Sequence, residues 1–284
     1  VDPSVGRALP APGSRTRLVA IDVDGTLLTS RHDVTPATVD AVGAAKERGA
    51  AVVLTTSRPP GAVWPILARL GLVDGDVFIG CQGAIVGSFA ADGRLTIIAQ
   101  QPMPLDDART AVDAALLAGL AVNWYTGEDW LVSHVDDQVR REAEIVGMTP
   151  TVADLAAQPI GPDKMLVIAP DGAPAALVPV AVALPGGLHG QTSKPTYLEV
   201  TRADVDKTSA LRVLCASRGI SPAEVVAIGD GMNDLGMLAF AGTAIAPANA
   251  HPDVLAAAHV VTPSNDEDGV AVALRALLPG IVGP

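Results

Sequence analysis

Apolar residues fall in short runs along the chain, and the spacing of the runs changes twice. Leu18 to Ile21 is the first run and reads as a buried strand ending at an Asp-rich turn. Thr35-Pro36 opens a helix that runs to Arg48, with Gly49 as its stop. Ala51 to Thr55 reads as the second strand, Pro60 to Leu70 as a helix stopped by Gly71, and Val77 to Ile79 as the third strand. Strand and helix alternating in this way predict a parallel sheet with helices on its faces. The pattern then changes. Ile85-Val86 and Leu95 to Ile98 flank Ala-Asp-Gly, and Val122 to Tyr125 and Trp130 to Ser133 flank Gly-Glu-Asp, two hairpin signals. Helices are predicted over Leu105 to Ala118, Asp137 to Val146 and Ala173 to Ala183, with strands over Lys164 to Ile168 and Thr196 to Val200. After residue 201 the alternation returns: helix from Asp206 to Arg218, strand from Val225 to Ile228, helix from Met232 to Ala239. Short strands at Ala244 to Ala246 and His259 to Val261 and a helix from Asp266 to Leu278 close the chain.

The predicted fold class is therefore α/β, a Rossmann-like parallel-sheet core interrupted by an α+β cap domain. The core takes residues 17–84 and 201–284 and the cap 85–200. Residues 1–16, rich in Ala, Pro and Arg, read as a flexible leader outside the fold.

Composition narrows the function. A chain of 284 residues suits two domains. Hydrophobic residues at 49% with charged residues at only 18% exclude a disordered chain or a coiled coil. A net charge of −12 speaks against a nucleic-acid partner, but leaves phosphate chemistry open if a cation is recruited. Cys81 and Cys215 are too few for a disulfide scaffold or a Cys-rich zinc site, and neither has Arg six residues on, so a Cys-x5-Arg phosphatase loop is missing. Reduced thiols in a cytoplasmic protein are expected. The five His show no ligand spacing. No membrane partner is expected either: the most apolar stretch, Ala173 to Leu188, is broken by Pro174, Pro179 and Pro185 and falls short of the roughly 20 residues a span needs.

Four short segments carry candidate chemistry. Asp22-Val-Asp-Gly-Thr26 follows the first strand, at the strand end where such sheets bind ligands. Its two carboxylates can share a hard cation, or act as nucleophile and acid. Gly229-Asp-Gly-Met-Asn-Asp234 follows the strand from Val225 and adds Asp230, Asp234 and the Asn233 amide. Thr55-Thr-Ser-Arg-Pro59 follows the second strand, with hydroxyls and backbone N–H groups for phosphoryl oxygens. Lys207 opens a helix, where an ammonium opposes the macrodipole. Each has a plain alternative: an acidic turn, a Gly-rich turn, an N-cap, a solvated lysine. Together they bring four carboxylates, a Lys and a Thr towards one edge of the sheet, a set suited to phosphoryl transfer.

With these motifs in place the chain resembles the haloacid dehalogenase-like hydrolases, in particular the Cof-type sugar-phosphate phosphatases. DVDGT resembles the family's first motif, TTSRP the second, Lys207 the third and GDGMND the fourth, over residues 17–279. The cap fits between Thr56 and Lys207, since Asp24 to Thr56 holds just one helix and one strand. The sequence departs from the family at Ser57, where Gly is usual, at Gln82, where Asn is usual, at Thr208, and at Pro247-Ala248.

The resemblance implies a Mg2+-dependent phosphatase that hydrolyses small phosphate monoesters, sugar phosphates first, through an aspartyl-phosphate. It implies Asp22 as nucleophile, Asp24 as acid and base, and Thr56 and Lys207 as further catalytic groups. Thr56, Ser57, Arg58, Gln82, Lys207 and Asn233 would bind substrate, and Asp22, Asp24 through its backbone oxygen, Asp230 and Asp234 the Mg2+. Trp124, Tyr125, Trp130, His189 and Tyr197 either touch the leaving group or pack inside the cap, and Lys164 is placed to reach a second anionic group. A phosphomutase and a non-catalytic phosphometabolite sensor are the alternatives. The expected partner is a small phosphorylated metabolite, and the expected state a monomer or weak homodimer.

Overall fold

The computed structural model describes residues 15–281. From its start the chain lays down β1 (Leu18–Asp22), α1 (Pro36–Glu47), β2 (Ala51–Thr55), α2 (Pro60–Leu70), β3 (Phe78–Gly80), β4 (Ile85–Phe89) and β5 (Leu95–Gln100). It then builds the cap from α3 (Leu105–Leu117), β6 (Val122–Thr126), β7 (Asp129–Val132), α4 (Asp137–Val146), β8 (Thr151–Val152), β9 (Lys164–Ile168), α5 (Val178–Val182), β10 (Leu188–Lys194) and β11 (Tyr197–Arg202). It returns to the core through α6 (Lys207–Ser217), β12 (Val225–Ile228), α7 (Leu235–Phe240), β13 (Thr243–Pro247), α8 (Pro252–Ala257), β14 (Val260–Thr262) and α9 (Gly269–Leu277).

The core sheet has the order β14-β13-β12-β1-β2-β3-β4-β5. Its first six strands run parallel, and β4 and β5 add an antiparallel edge. All five residues of β1 are buried because both faces of the sheet are covered. Val19 and Ile21 face Val42 of α1, Val63 of α2 and Leu274 of α9, while Leu18 and Ala20 face Leu211 of α6, Leu238 of α7 and Val254 of α8. Burying each Leu, Ile or Val side chain contributes about 2 kcal/mol, so this central strand is firmly held.

The cap sheet has the order β10-β11-β9-β6-β7-β8. Its alternation is visible residue by residue. Trp124, Met165, Val167, Leu198 and Val200 pack outward with α3 and α5. Tyr125, Leu166 and Ile168 pack on the other face with Val139 and Val146 of α4 and with Ala62 of the core helix α2. The inner face of the cap therefore lies on the core.

The prediction and the structure part at several places. The hairpin from Ile85 to Gln100, read as the start of the cap, extends the core sheet instead: β4 pairs with β3. A hairpin signal reports local pairing and is silent on which sheet receives it. The leader reading falls mostly on residues 1–14, outside the described residues. Thr16, its last member, is buried and bridges to Ile281, so this residue is part of the fold. The helix expected from Ala173 is a 3-10 turn over Pro174–Leu177 followed by the short α5. Strand β10 and helix α8 were not anticipated. Among the described residues no helix is long and apolar enough to cross a membrane.

Candidate active site

Strands β12, β1 and β2 are neighbours at the centre of the core sheet, and their C-terminal ends deliver the three Asp- and Thr-bearing loops to one place. Asp22 ends β1 and is 5% exposed. Gly25 then turns the chain with φ of 83°, and a Cβ there would collide with the Asp230 carboxylate. Thr26 Oγ1 donates to Asp230 Oδ1 at 2.6 Å, tying the first loop to the loop after β12.

Lys207 is the first residue of α6. Asp206 caps that helix, accepting from the Ser209 N–H at 2.6 Å while Ser209 Oγ accepts from the Asp206 N–H at 3.0 Å. The cap fixes where the Lys207 side chain starts. Its Nζ, fully buried, donates to Asp22 and to Asp234 Oδ1, the latter at 2.7 Å. Asp234 Oδ2 accepts from the N–H groups of Asp230 and Gly231 at 3.0 and 2.9 Å. Both Asp234 oxygens are thus occupied in holding Lys207 and shaping the loop.

The charges do not balance within this cluster. Asp22, Asp230 and Asp234 each offer an oxygen, all within 4.8 Å of one another, against the single ammonium of Lys207. Burial, with the charge of Asp234, pushes the Asp22 carboxyl well up despite Lys207. Burial and Asp234 also raise Asp230, against its Thr26 hydrogen bond. Burial opposes the Lys207 charge, but Asp22 and Asp234 outweigh it and hold the ammonium above its usual range. An all-oxygen donor set with surplus negative charge fits a hard divalent cation.

Asp24 stands outside the cluster. Its carboxylate is paired bidentately with Arg58, from Nε at 2.8 Å and Nη2 at 2.6 Å. Burial works against its ionisation, yet Arg58 holds it below the usual carboxylate range. Thr56 is buried. Its N–H donates to Ile79 and its Oγ1 accepts from the Arg58 N–H at 3.1 Å, so it shapes the loop that carries Ser57 and Arg58.

Above these groups lies a cavity of about 380 Å³ between core and cap, lined by Asp22, Asp24, Arg58 and Asp230 below. Its roof comes from the cap: Glu142 of α4, Lys164 of β9, and Tyr197 and Glu199 of β11. Lys164 and Glu199 are buried and joined by an ion pair of 3.2 Å, and Lys164 Nζ also donates to the Ser57 carbonyl at 2.8 Å. Tyr197 donates to Glu142 at 3.1 Å.

Of the other cap candidates, Trp124 and Trp130 are interior to the cap, and Tyr125 is buried beneath its inner face. His189 lines a second cavity of about 200 Å³ together with Gln82, Glu199 and Asn233. Gln82 does not line the larger cavity; its amide lies between Glu199 and Asn233. Glu199, Glu142, Asp206 and Thr26 were missed by the sequence reading. The signal for Glu199 was present, since it alternates with Leu198 and Val200 as Lys164 alternates with Met165.

A family model described as haloacid dehalogenase-like hydrolase matches residues 19–274. YxeH of Bacillus subtilis (strain 168), named as a phosphatase with no substrate stated, is 32% identical over 272 residues, covering 92% of this chain and 98% of its own. The pyridoxal phosphate phosphatase YbhA of Escherichia coli (strain K12) is 28% identical over 267 residues, covering 90% of this chain and 96% of its own. Among solved structures, a haloacid dehalogenase-like hydrolase from Bacteroides thetaiotaomicron superposes with a TM-score of 0.83 at 28% identity, over 93% of this chain and 100% of that one.

Proposed function

The chain belongs to the haloacid dehalogenase-like hydrolases and is a phosphatase of small phosphate substrates, and on that premise we propose a Mg2+-dependent monoesterase that works through an aspartyl-phosphate on Asp22. The observation that carries this reading is the buried Asp22–Lys207–Asp234 arrangement beneath a roofed cavity, with Asp230 alongside.

Asp22 Oδ attacks phosphorus, forming one P–O bond as the bond to the leaving oxygen breaks. Lys207 offsets the charge of Asp22 so that a phosphate dianion can approach. Asp24 gives its proton to the departing alkoxide, then takes a proton from the water that attacks the phospho-enzyme and frees phosphate. Arg58 connects these roles. When its guanidinium turns to the phosphoryl oxygens, Asp24 loses the partner that keeps its carboxyl low and can carry a proton. Ser57 and Asn233 line the cavity and supply donors to the phosphoryl group. Asp22, Asp230 and the Asp24 backbone oxygen would hold Mg2+, with Asp234 acting through Lys207 and the loop. When bound, the ion would supply positive charge that offsets the repulsion between a carboxylate nucleophile and a phosphate dianion.

The polar roof supports a hydrophilic leaving group, with sugar phosphates first. Pyridoxal phosphate, named for the Escherichia coli relative, belongs in the same panel. Buried, unpaired Cys81 and Cys215 support a cytoplasmic, reducing setting. The test is phosphate release from a panel of monoesters, with Mg2+ or with EDTA. Release that needs both Mg2+ and Asp22 is expected. Wild-type turnover in a folded Asp22→Asn variant would sink the mechanism.

A further inference from the structure

The loop from Cys81 to Gly83 has an unusual backbone. Cys81, Gln82 and Gly83 all have positive φ, at 49°, 58° and 110°. Two successive non-glycine residues in the left-handed region persist only where their surroundings hold them there, and such places are often functional. Here the loop is stitched to the loop after β2: the Cys81 N–H donates to the Arg58 carbonyl and the Gln82 N–H to the Thr56 carbonyl, each at 3.0 Å.

This backbone delivers one side chain to one place. Gln82, 7% exposed, donates from Nε2 to Glu199 Oε2 of the cap at 3.1 Å. Its Oε1 accepts from Asn233 Nδ2 of the core at 3.2 Å. The direction of both bonds is forced. A carboxylate can only accept, so the amide nitrogen must face Glu199 and the amide oxygen is left for Asn233. Glu199 Oε2 in turn accepts from Lys164 Nζ, which reaches on to the Ser57 carbonyl. The circuit closes from core to cap and back to the core loop that carries the phosphoryl-binding groups. Gln82 lies behind this roof, in the wall shared with the second cavity, and does not reach into the main one.

We propose that Gln82 is a positioning residue that ties cap to core and, through Glu199, sets the Lys164 ammonium over the leaving group, so that enzyme selectivity depends on a side chain outside the substrate pocket. The proposal rests on the phosphatase reading for its effect on selectivity, and on geometry alone for the tie.

Two variants test it. Gln82→Leu removes both hydrogen bonds at similar size. Gln82→Glu sets two carboxylates face to face. In both variants kcat/KM for sugar phosphates falls about tenfold, the scale of a lost hydrogen bond to a charged group, chiefly through KM. The loss is smaller for acetyl phosphate, whose leaving group is too small to engage the cap.

Small-angle scattering of each protein without substrate reads the tie independently. The radius of gyration rises in both variants. If wild-type protein hydrolyses no monoester, the phosphatase reading fails while scattering still decides the tie. An unchanged radius of gyration in the folded variants, or equal losses on both substrate types, would overturn the proposal.

Discussion

Lys207 shows how much one side chain can govern. Buried beside Asp22 and Asp234, it is the ammonium that lets those carboxylates sit out of water. Lys207→Met leaves two buried acids without their partner, and the expected loss is about 3–5 kcal/mol of stability, as for other broken buried pairs. Chemical denaturation measures it directly, and added Mg2+ should restore part of the loss. Turnover should fall as well, since nothing else on α6 can replace the charge. At this scale the sequence was informative where a residue ends a strand or starts a helix. Asp22, Asp230 and Lys207 occupy such positions, and their convergence follows from the topology. The role of Asp234 was less legible. Its two oxygens serve Lys207 and two backbone N–H groups, an arrangement that depends on how its own loop folds back.

At the scale of elements, the period-2 pattern of β9 and β11 decides which cap residues face the core. Helix α4 packs against the same inner face and brings Glu142 under Tyr197. Burial raises the Glu142 carboxyl above its ordinary value of 4.5, although Lys164 and the Tyr197 hydrogen bond pull the other way. A carboxyl with a raised folded pKa contributes stability that is fully present below its unfolded value and is lost as pH rises through its folded value. Glu142→Gln keeps an acceptor for Tyr197 and has no proton to lose. Its Tm, relative to wild type, should therefore be higher at pH 7 than at pH 4, and thermal melts at the two values check the sign. Elements also show where sequence reading stops. The Ile85–Gln100 hairpin was recognisable as a hairpin, but its attachment to β3 is a tertiary choice. Strand β10 carries Gly190 and a run of polar residues, so no apolar alternation announced it.

At the scale of the whole molecule, the acidic balance and the central cluster make one prediction together. A cation that binds the folded cluster and not the unfolded chain adds stability, about 2.7 kcal/mol at a hundredfold excess over Kd. Mg2+ should raise the Tm of the wild-type protein, EDTA should reverse the rise, and Asp230→Asn should lose it. This readout needs no substrate. The parallel core with its inserted cap was legible as a whole because strand and helix alternate on both sides of a stretch that does not.

The same insertion sets the order in which the protein can be completed as it leaves the ribosome. Strand β1 pairs with β2 on one side, but its other partner, β12, lies about 200 residues further along the chain, with Leu18 opposite Val225. Until β12 has emerged, one whole edge of this buried strand stays open to any other strand it meets. The cap, contiguous in sequence, can fold during that wait, whereas the catalytic edge cannot form until after it. Assembly of the nucleophile with its lysine thus waits until the cap has been made, and β1 keeps an unpaired edge through that interval.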